Sequence, residues 1–237
     1  MGKNYKLSLI LPVYNPHNGW EAEFIHSLNK LHEEFSGLDY CVTVVNDGST
    51  NDIGKFFENK ILPVYKNVNY FAYSENQGKG FAIRHGLEHS LSDYYIYTDF
   101  DFPFGFTPLK QTYDRLVERK NNLVIGTRDY SYFKALSIER RSVSLGLMIV
   151  NFFITRFRVR DTQAGLKGFD NKARDIFLTT KTNSFVFELE FILKCLKANI
   201  KYSFVHVVPN PDIKFSDFNS KTLKSELKNY LKIIFGH

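Results

Sequence analysis

The sequence predicts an α/β fold with a mainly parallel central sheet flanked by helices. Three observations predict it. The segments LSLILPVYN (7–15), VTVVNDGST (42–50) and YYIYTDFDF (94–102) are apolar runs without polar alternation, as strands covered on both faces require. Each run ends in turn residues and a carboxylate or carboxamide. Segments with helical spacing separate the runs, so the two periodicities alternate along the chain.

The run at 7–15 is strand one. Residues 19–35 then place Trp20, Phe24, Leu28, Leu31 and Phe35 on one helical face. Strand two (40–46) leads into NDGST, where Ser49 or Thr50 is placed to cap the next helix. Strand three (68–73) precedes SENQGKG and a helix over 79–91. Strand four (94–98) delivers Asp99-Phe100-Asp101, and a helix over 106–120 and a strand at 122–127 follow. Beyond that point the alternation loosens. The pattern predicts an apolar helix over 139–157, a short strand at 165–169, helices at 171–178 and 185–199, and a strand at 201–208. Residues 1–212 form one domain. Past Pro209 and Pro211 the chain leaves the sheet, and 213–237 read as a basic amphipathic helix. Leu223, Leu227, Tyr230, Leu231 and Ile234 share one face of it, with Lys221, Lys224, Lys228 and Lys232 elsewhere.

Composition bounds the function. A hydrophobic fraction of 43% and an aromatic fraction of 16% supply a packed core. The formal charge of +6 and a pI near 9.1 suit anionic partners. The basic residues are spread out and no nucleic-acid motif accompanies them, so nucleic acid is not an expected partner. Cys41 and Cys195 fall in a predicted strand and a predicted helix core and read as buried free thiols, consistent with a reducing compartment. The N-terminus lacks a signal-peptide apolar region, and no apolar stretch reaches the ~18 residues that a spanning helix needs.

The strand ends carry the chemistry. In parallel sheets ligands bind beyond the carboxyl ends of the strands, so Asp47, Asp99 and Asp101 are expected to converge. Two carboxylates spaced i, i+2 at a strand end suit a hard divalent cation and a ribose. Gln77-Gly78-Lys79-Gly80 opens a helix with two glycines and a lysine, a place where backbone N–H groups can approach a phosphate; it lacks the full P-loop pattern. The seven histidines show no ligand pair supported by a cysteine or carboxylate. His85 and His89, four apart on a predicted helix, read as surface residues.

The motifs ILPVYN, NDGST, NQGKG, TDFD, GTRD and DTQAGLKGF, in this order, resemble the family 2 glycosyltransferases with the GT-A fold. The segment 161–169 narrows the resemblance to polyprenyl-phosphate glycosyltransferases of the dolichyl-phosphate mannosyltransferase type, over about residues 5–212. The resemblance implies an inverting transfer of a hexose from a UDP- or GDP-sugar to a polyprenyl phosphate, assisted by Mg2+ or Mn2+. It implies that Pro12, Tyr14, Asn15 and Asp47 surround the nucleotide base, with Asn76 and Lys79 on the nucleotide and its diphosphate. By the same resemblance Asp99 contacts ribose and metal, and Asp101 ligates the metal. Asp161 and Gln163 line the sugar and acceptor side, Glu190 faces the sugar, and Arg128 and Arg140 match positions that would meet the acceptor phosphate. The family often has an acid where Pro16 stands, and a polar metal-binding residue where Pro103 stands.

The acceptor question is partly chemical. A sugar hydroxyl needs a general base, whereas a phosphate is already ionised and needs cations to position it. Arg128, Arg140, Arg141, Arg156, Arg158 and Arg160 surround the apolar segment 142–157, which is too short and too polar at Asn151 to span a bilayer. That segment reads either as a core helix or as an interfacial helix near a lipid acceptor. The expected location is cytoplasmic and peripheral at the membrane surface. Two alternatives stay open at this point: transfer to a saccharide hydroxyl, with Asp161 or Glu190 as base, and a non-catalytic nucleotide-sugar-binding protein.

Overall fold

Seven strands form one sheet, and its order places the site. In the computed structural model β1 (Tyr5–Val13) pairs in parallel with β2 (Tyr40–Asp47) and β4 (Ser92–Tyr97), and β2 pairs in parallel with β3 (Val68–Tyr73). Next to β4 lies β6 (Lys167–Asp170), then β5 (Leu123–Arg128) and β7 (Tyr202–Val207), giving the order β3-β2-β1-β4-β6-β5-β7. The strand β6 runs antiparallel to both neighbours, and β5 and β7 are parallel. The structure describes residues 3–118, 120–128, 132, 138–156, 158–184 and 186–210, without the side chains of 138–140 and 143. The proposed C-terminal helix at 213–237 and the Arg140 side chain lie outside the described residues.

The sheet separates two apolar layers, which is why its strands carry no alternation. Leu7, Leu9, Leu11, Val42 and Val44 point to one side and pack against α1 (Trp20–Glu34), a short helix α2 (Gly54–Phe56) with its π turn Phe57–Ile61, and α4 (Thr107–Val117). Ile10, Tyr95, Tyr97, Ile125 and Phe169 point to the other side. There they meet α3 (Lys79–Glu88), α6 (Asn171–Leu178) and α7 (Phe187–Lys197). Cys41 and Cys195 are buried free thiols. Burial pushes both thiols above their ordinary value.

Helix α5 (Ile138–Ile154) joins the body through one face. Leu147 and Ile154 pack on Val186 and Leu189, and the buried Asn151 donates to Thr162 Oγ1 at 2.9 Å. The opposite face leaves Ile149 and Phe153 each 60% exposed. The helix is therefore neither a core helix nor wholly interfacial, because only one face is covered. Among the described residues no helix is long and apolar enough to cross a membrane.

The capping expectation for Ser49 and Thr50 does not hold. The helix after β2 starts only at Gly54 and has no side-chain cap. Ser49 Oγ and the Thr50 N–H instead bond to Asn15, fastening two loops together.

Gly168 in β6 is a packing constraint. A methyl there would collide with Thr112 Cγ2 on α4, 3.1 Å from Leu116 Cδ1 and 3.2 Å from Ile96 Cγ1. Gly168→Ala is expected to lower stability by about 1–3 kcal/mol through overpacking, read as a lower urea midpoint. An unchanged midpoint would mean that α4 can lift from the sheet freely.

Candidate active site

The carboxyl ends of β1, β2 and β4 open into a cavity of about 860 Å³. It lies where the strand order reverses between β1 and β4, the position at which open α/β sheets bind ligands. Pro12, Tyr14, Asp47, Asn76, Lys79, Asp99 and Asp101 all line it. Asn15 does not. Its left-handed backbone (φ 44°) turns the side chain aside, and its amide oxygen accepts from the Thr50 N–H (2.8 Å) and hydroxyl (3.1 Å).

Asp47 is only 3% exposed, and its carboxylate is fully engaged by the protein. It accepts from the Tyr73 hydroxyl (2.7 Å), the Asn76 amide (2.9 Å), and the backbone N–H groups of Gln77 (2.8 Å) and Gly78 (3.0 Å). Desolvation, and then this hydrogen bond, push the Tyr73 phenol up. Asp47 therefore shapes the loop that leads to Lys79. Gly78 there has φ 95°, and a Cβ would stand 2.7 Å from the Asn183 carbonyl oxygen, so this close approach needs glycine.

Lys79 Nζ forms an ion pair with Asp99 Oδ1. Desolvation lowers the ammonium's affinity for its proton, but the charges of Asp99, Glu188 and Asp101 outweigh this and hold it above its ordinary value. The other Asp99 oxygen rests against Gly165 (φ 66°), where a Cβ would approach to 2.7 Å. Asp101 reaches solvent through the cavity, yet desolvation on its protein side and then the Asp99 charge raise its carboxyl. Two carboxylates at a strand end, one of them raised by desolvation and by the charge of the other, form a donor set that suits a hard cation.

A second cluster lies behind the 161–165 loop. Arg128 grips Asp161 through Nε (2.8 Å) and Nη2 (2.7 Å), and its backbone N–H adds a third bond at 3.0 Å. Asp161 also accepts from the Gln163 backbone N–H at 3.1 Å. Burial alone would raise the Asp161 carboxyl, but Arg128 outweighs it and holds the group low. Neither Arg128, Asp161 nor Gln163 lines the cavity; they form the wall that places Gly165 against Asp99. Lys167, fully buried in β6, donates to the Thr162 carbonyl (2.6 Å) and pairs with Glu188 Oε1 (2.7 Å), which also accepts from the Tyr97 hydroxyl (2.9 Å).

Glu190 does not line the cavity. Its carboxylate accepts from the backbone N–H groups of Lys181 (3.1 Å) and Thr182 (2.8 Å) and meets Lys194 at 3.2 Å. It fixes the 181–184 segment, whose Asn183 and Ser184 line the cavity. The inward acid of this helix is Glu188, which sequence reasoning missed. The available signals were a lysine inside an apolar strand and an acid between Phe187 and Leu189. Also missed was the α1 side of the cavity: Trp20, Phe24, Ser27 and the pair His17 and Glu23, which lie 3.1 Å apart. Trp20 and Phe24, which the spacing placed on one helical face, serve as both core and cavity wall.

Residues 8–177 match the model of one protein family, Glycosyl transferase family 2. The chain belongs to this family. The family assignment agrees with the motif order of the sequence. The chain is 24% identical over 215 residues to the dolichyl-phosphate beta-glucosyltransferase of Saccharomyces cerevisiae, covering 82% of this chain and 64% of that protein. The Dictyostelium discoideum protein of the same description is 26% identical over 217 residues, covering 86% and 66%. The chain thus spans just under two thirds of these relatives' length. Among solved structures, glucosyl-3-phosphoglycerate synthase from Mycobacterium tuberculosis, in complex with Mn2+, UDP and glucosyl-3-phosphoglycerate, superposes with a TM-score of 0.65 at 14% identity, covering 97% of this chain and 80% of that one. This family member has the GT-A fold, as the motifs predicted.

Asp161→Asn is expected to destabilise the protein by about 3–5 kcal/mol, since the buried Arg128 charge loses the Asp161 carboxylate that offsets it. A carboxyl held low contributes stability that is complete above the unfolded pKa of about 3.9 and is lost as pH falls through the folded value. Urea midpoints of the wild type and the variant are expected to differ at pH 7 and to converge below about pH 4. A gap of constant size across that range would contradict the ion-pair account.

Proposed function

We propose that this glycosyltransferase moves a hexose, with inversion, from a nucleoside diphosphate sugar to a polyprenyl phosphate of the dolichyl type. The observation that carries the reading is the commitment of both candidate bases. Asp161 is held by Arg128 and Glu190 by the 181–182 backbone, so neither is free to deprotonate a sugar hydroxyl. A phosphate acceptor needs no base, and the similarity to dolichyl-phosphate beta-glucosyltransferases over 82% and 86% of the chain supports the same acceptor class.

In this reading the base lies against Pro12 and the half-exposed Tyr14, on the loop that Asp47 shapes. Asp99 and Asp101 would hold Mg2+ or Mn2+; both line the cavity at the end of β4, and desolvation and the Asp99 charge raise the Asp101 carboxyl, which fits that role. The cation, when bound, offsets charge on the departing diphosphate. Lys79 adds a fixed positive charge beside it. An acceptor phosphate oxygen forms its bond to the anomeric carbon while the bond from that carbon to the diphosphate breaks. No enzyme nucleophile intervenes, so configuration inverts. UDP, the nucleotide held by the structurally similar synthase, is the favoured donor nucleotide over GDP. The exposed Ile149, Val150 and Phe153 of α5, followed by the exposed Arg156, Arg158 and Arg160, suit contact with an anionic membrane surface near a lipid acceptor.

The deciding assay combines the purified chain, UDP-glucose or other nucleotide sugars, Mn2+ and a short polyprenyl phosphate. Lipid-linked product is expected; turnover with oligosaccharides alone would replace this reading with hydroxyl transfer. Asp101→Asn is expected to lower metal-dependent turnover by at least about 100-fold while leaving the melting temperature within about 2 °C. Near-normal turnover at saturating donor would remove Asp101 from the metal site.

A further inference from the structure

His85 and Glu88 in the last turn of α3 and His89 at its C-cap stand at i, i+3 and i+4, which gathers all three at one side of the helix end. A ligand atom from each lies within 4.8 Å of the others. The spacing alone had marked the two histidines as surface residues without a supporting carboxylate. The helix supplies that carboxylate in Glu88, one residue before His89.

The rings are already organised. His89 Nδ1 lies 2.8 Å from the His85 carbonyl oxygen, and only an N–H at Nδ1 can donate to it, so the neutral ring presents its Nε2 lone pair outward. Metal-bound imidazoles are oriented by this kind of contact. His85 and His89 lie with ring centres 4.3 Å apart, and Phe71 of the edge strand packs on both, at 5.8 and 4.8 Å. Tyr73 and Phe81 close around His85 at 5.6 and 6.2 Å. This wall limits the rotamer freedom that binding would otherwise remove.

We propose that His85, Glu88 and His89 form a site for a borderline transition-metal cation, with Zn2+ as the representative ion, separate from the Asp99–Asp101 pair. Two imidazoles and one carboxylate select Zn2+, Cu2+ or Ni2+ over Mg2+ and Mn2+, whereas Asp99 and Asp101 offer only hard oxygens. Three protein ligands leave the remaining positions to water. The site begins six residues after Lys79, about 9 Å along the helix at 1.5 Å per residue. It faces the sheet edge at β3, whereas the donor cavity opens beyond the strand ends. The proposal does not depend on the glycosyl donor or acceptor.

The experiment is calorimetric titration of the chelator-treated full chain with ZnCl2 at pH 7.5, repeated with CoCl2 and a visible spectrum. One Zn2+ equivalent is expected to remain in Asp101→Asn and to weaken at least about tenfold in His89→Ala and in His85→Gln. Excess Mg2+ should not displace it, and binding should weaken at pH 5.5 as the imidazoles protonate. Co2+ should give d–d absorption in the wild type that His89→Ala loses. Melting curves check that both histidine variants are folded, and His89, being exposed, is the safer substitution. Zn2+ binding that survives His89→Ala, vanishes in Asp101→Asn, or fails to occur in the wild type would overturn the proposal.

Discussion

A chain of opposite charges, running from the cavity past β6 to the end of β5, is the constraint on which the site depends. Asp99 meets Lys79 at the cavity, Glu188 meets Lys167 behind it, and Asp161 meets Arg128 beyond that. Charges taken out of water are tolerated only when paired and hydrogen-bonded, and removing one partner leaves the other stranded. Each pair therefore fixes backbone as well as charge. Lys167 holds the Thr162 carbonyl, Asp161 holds the Gln163 N–H, and the loop between them delivers Gly165 against Asp99. The two halves of the molecule are joined by these contacts more specifically than by apolar packing, which tolerates exchange of similar side chains.

Around this chain the sheet acts as a partition. Residues of β1 alternate between the α1 layer and the α3–α7 layer, and both layers converge on the cavity. The α1 layer contributes Trp20 and Phe24, with Phe24 stacked on Phe100 at 4.6 Å, inside the Asp99–Asp101 segment. The other layer contributes the start of α3, seated on the 180–184 segment by Arg84 and by the Gly80 N–H to Asn183 bond of 2.9 Å. The acidic pair is thus gripped from both faces of the sheet.

Much of this was legible in the sequence. A strand buried on both faces has an unmistakable pattern, so β1, β2 and β4 and the convergence of Asp47, Asp99 and Asp101 followed from periodicity. What was not legible depended on partners distant in sequence or on helix phase. The protein donors that hold Asp47, Tyr73, Gln77 and Gly78, lie 26 to 31 residues away. Glu188 and Glu190 differ by two positions in FELEF, and only the seating of α7 decides which points inward to Lys167 and which outward to the 181–182 backbone. The direction of β6 was equally hidden, since four residues carry no record of which neighbours they join.

The placement of β6 bears on how the molecule is made. Strands β4 and β5 follow one another in the chain, yet β6, some forty residues later, must lie between them. Until residue 170 has left the ribosome, β4 has no partner on that side, and its Tyr95 and Tyr97 backbone presents an open edge. Such edges recruit other chains. Local zippering of neighbouring segments cannot close the gap, and direct pairing of β4 with β5 would shut β6 out. Biogenesis thus contains a window, bounded by the emergence of β4 and of β6, in which a holdase acting on the nascent chain would have most effect.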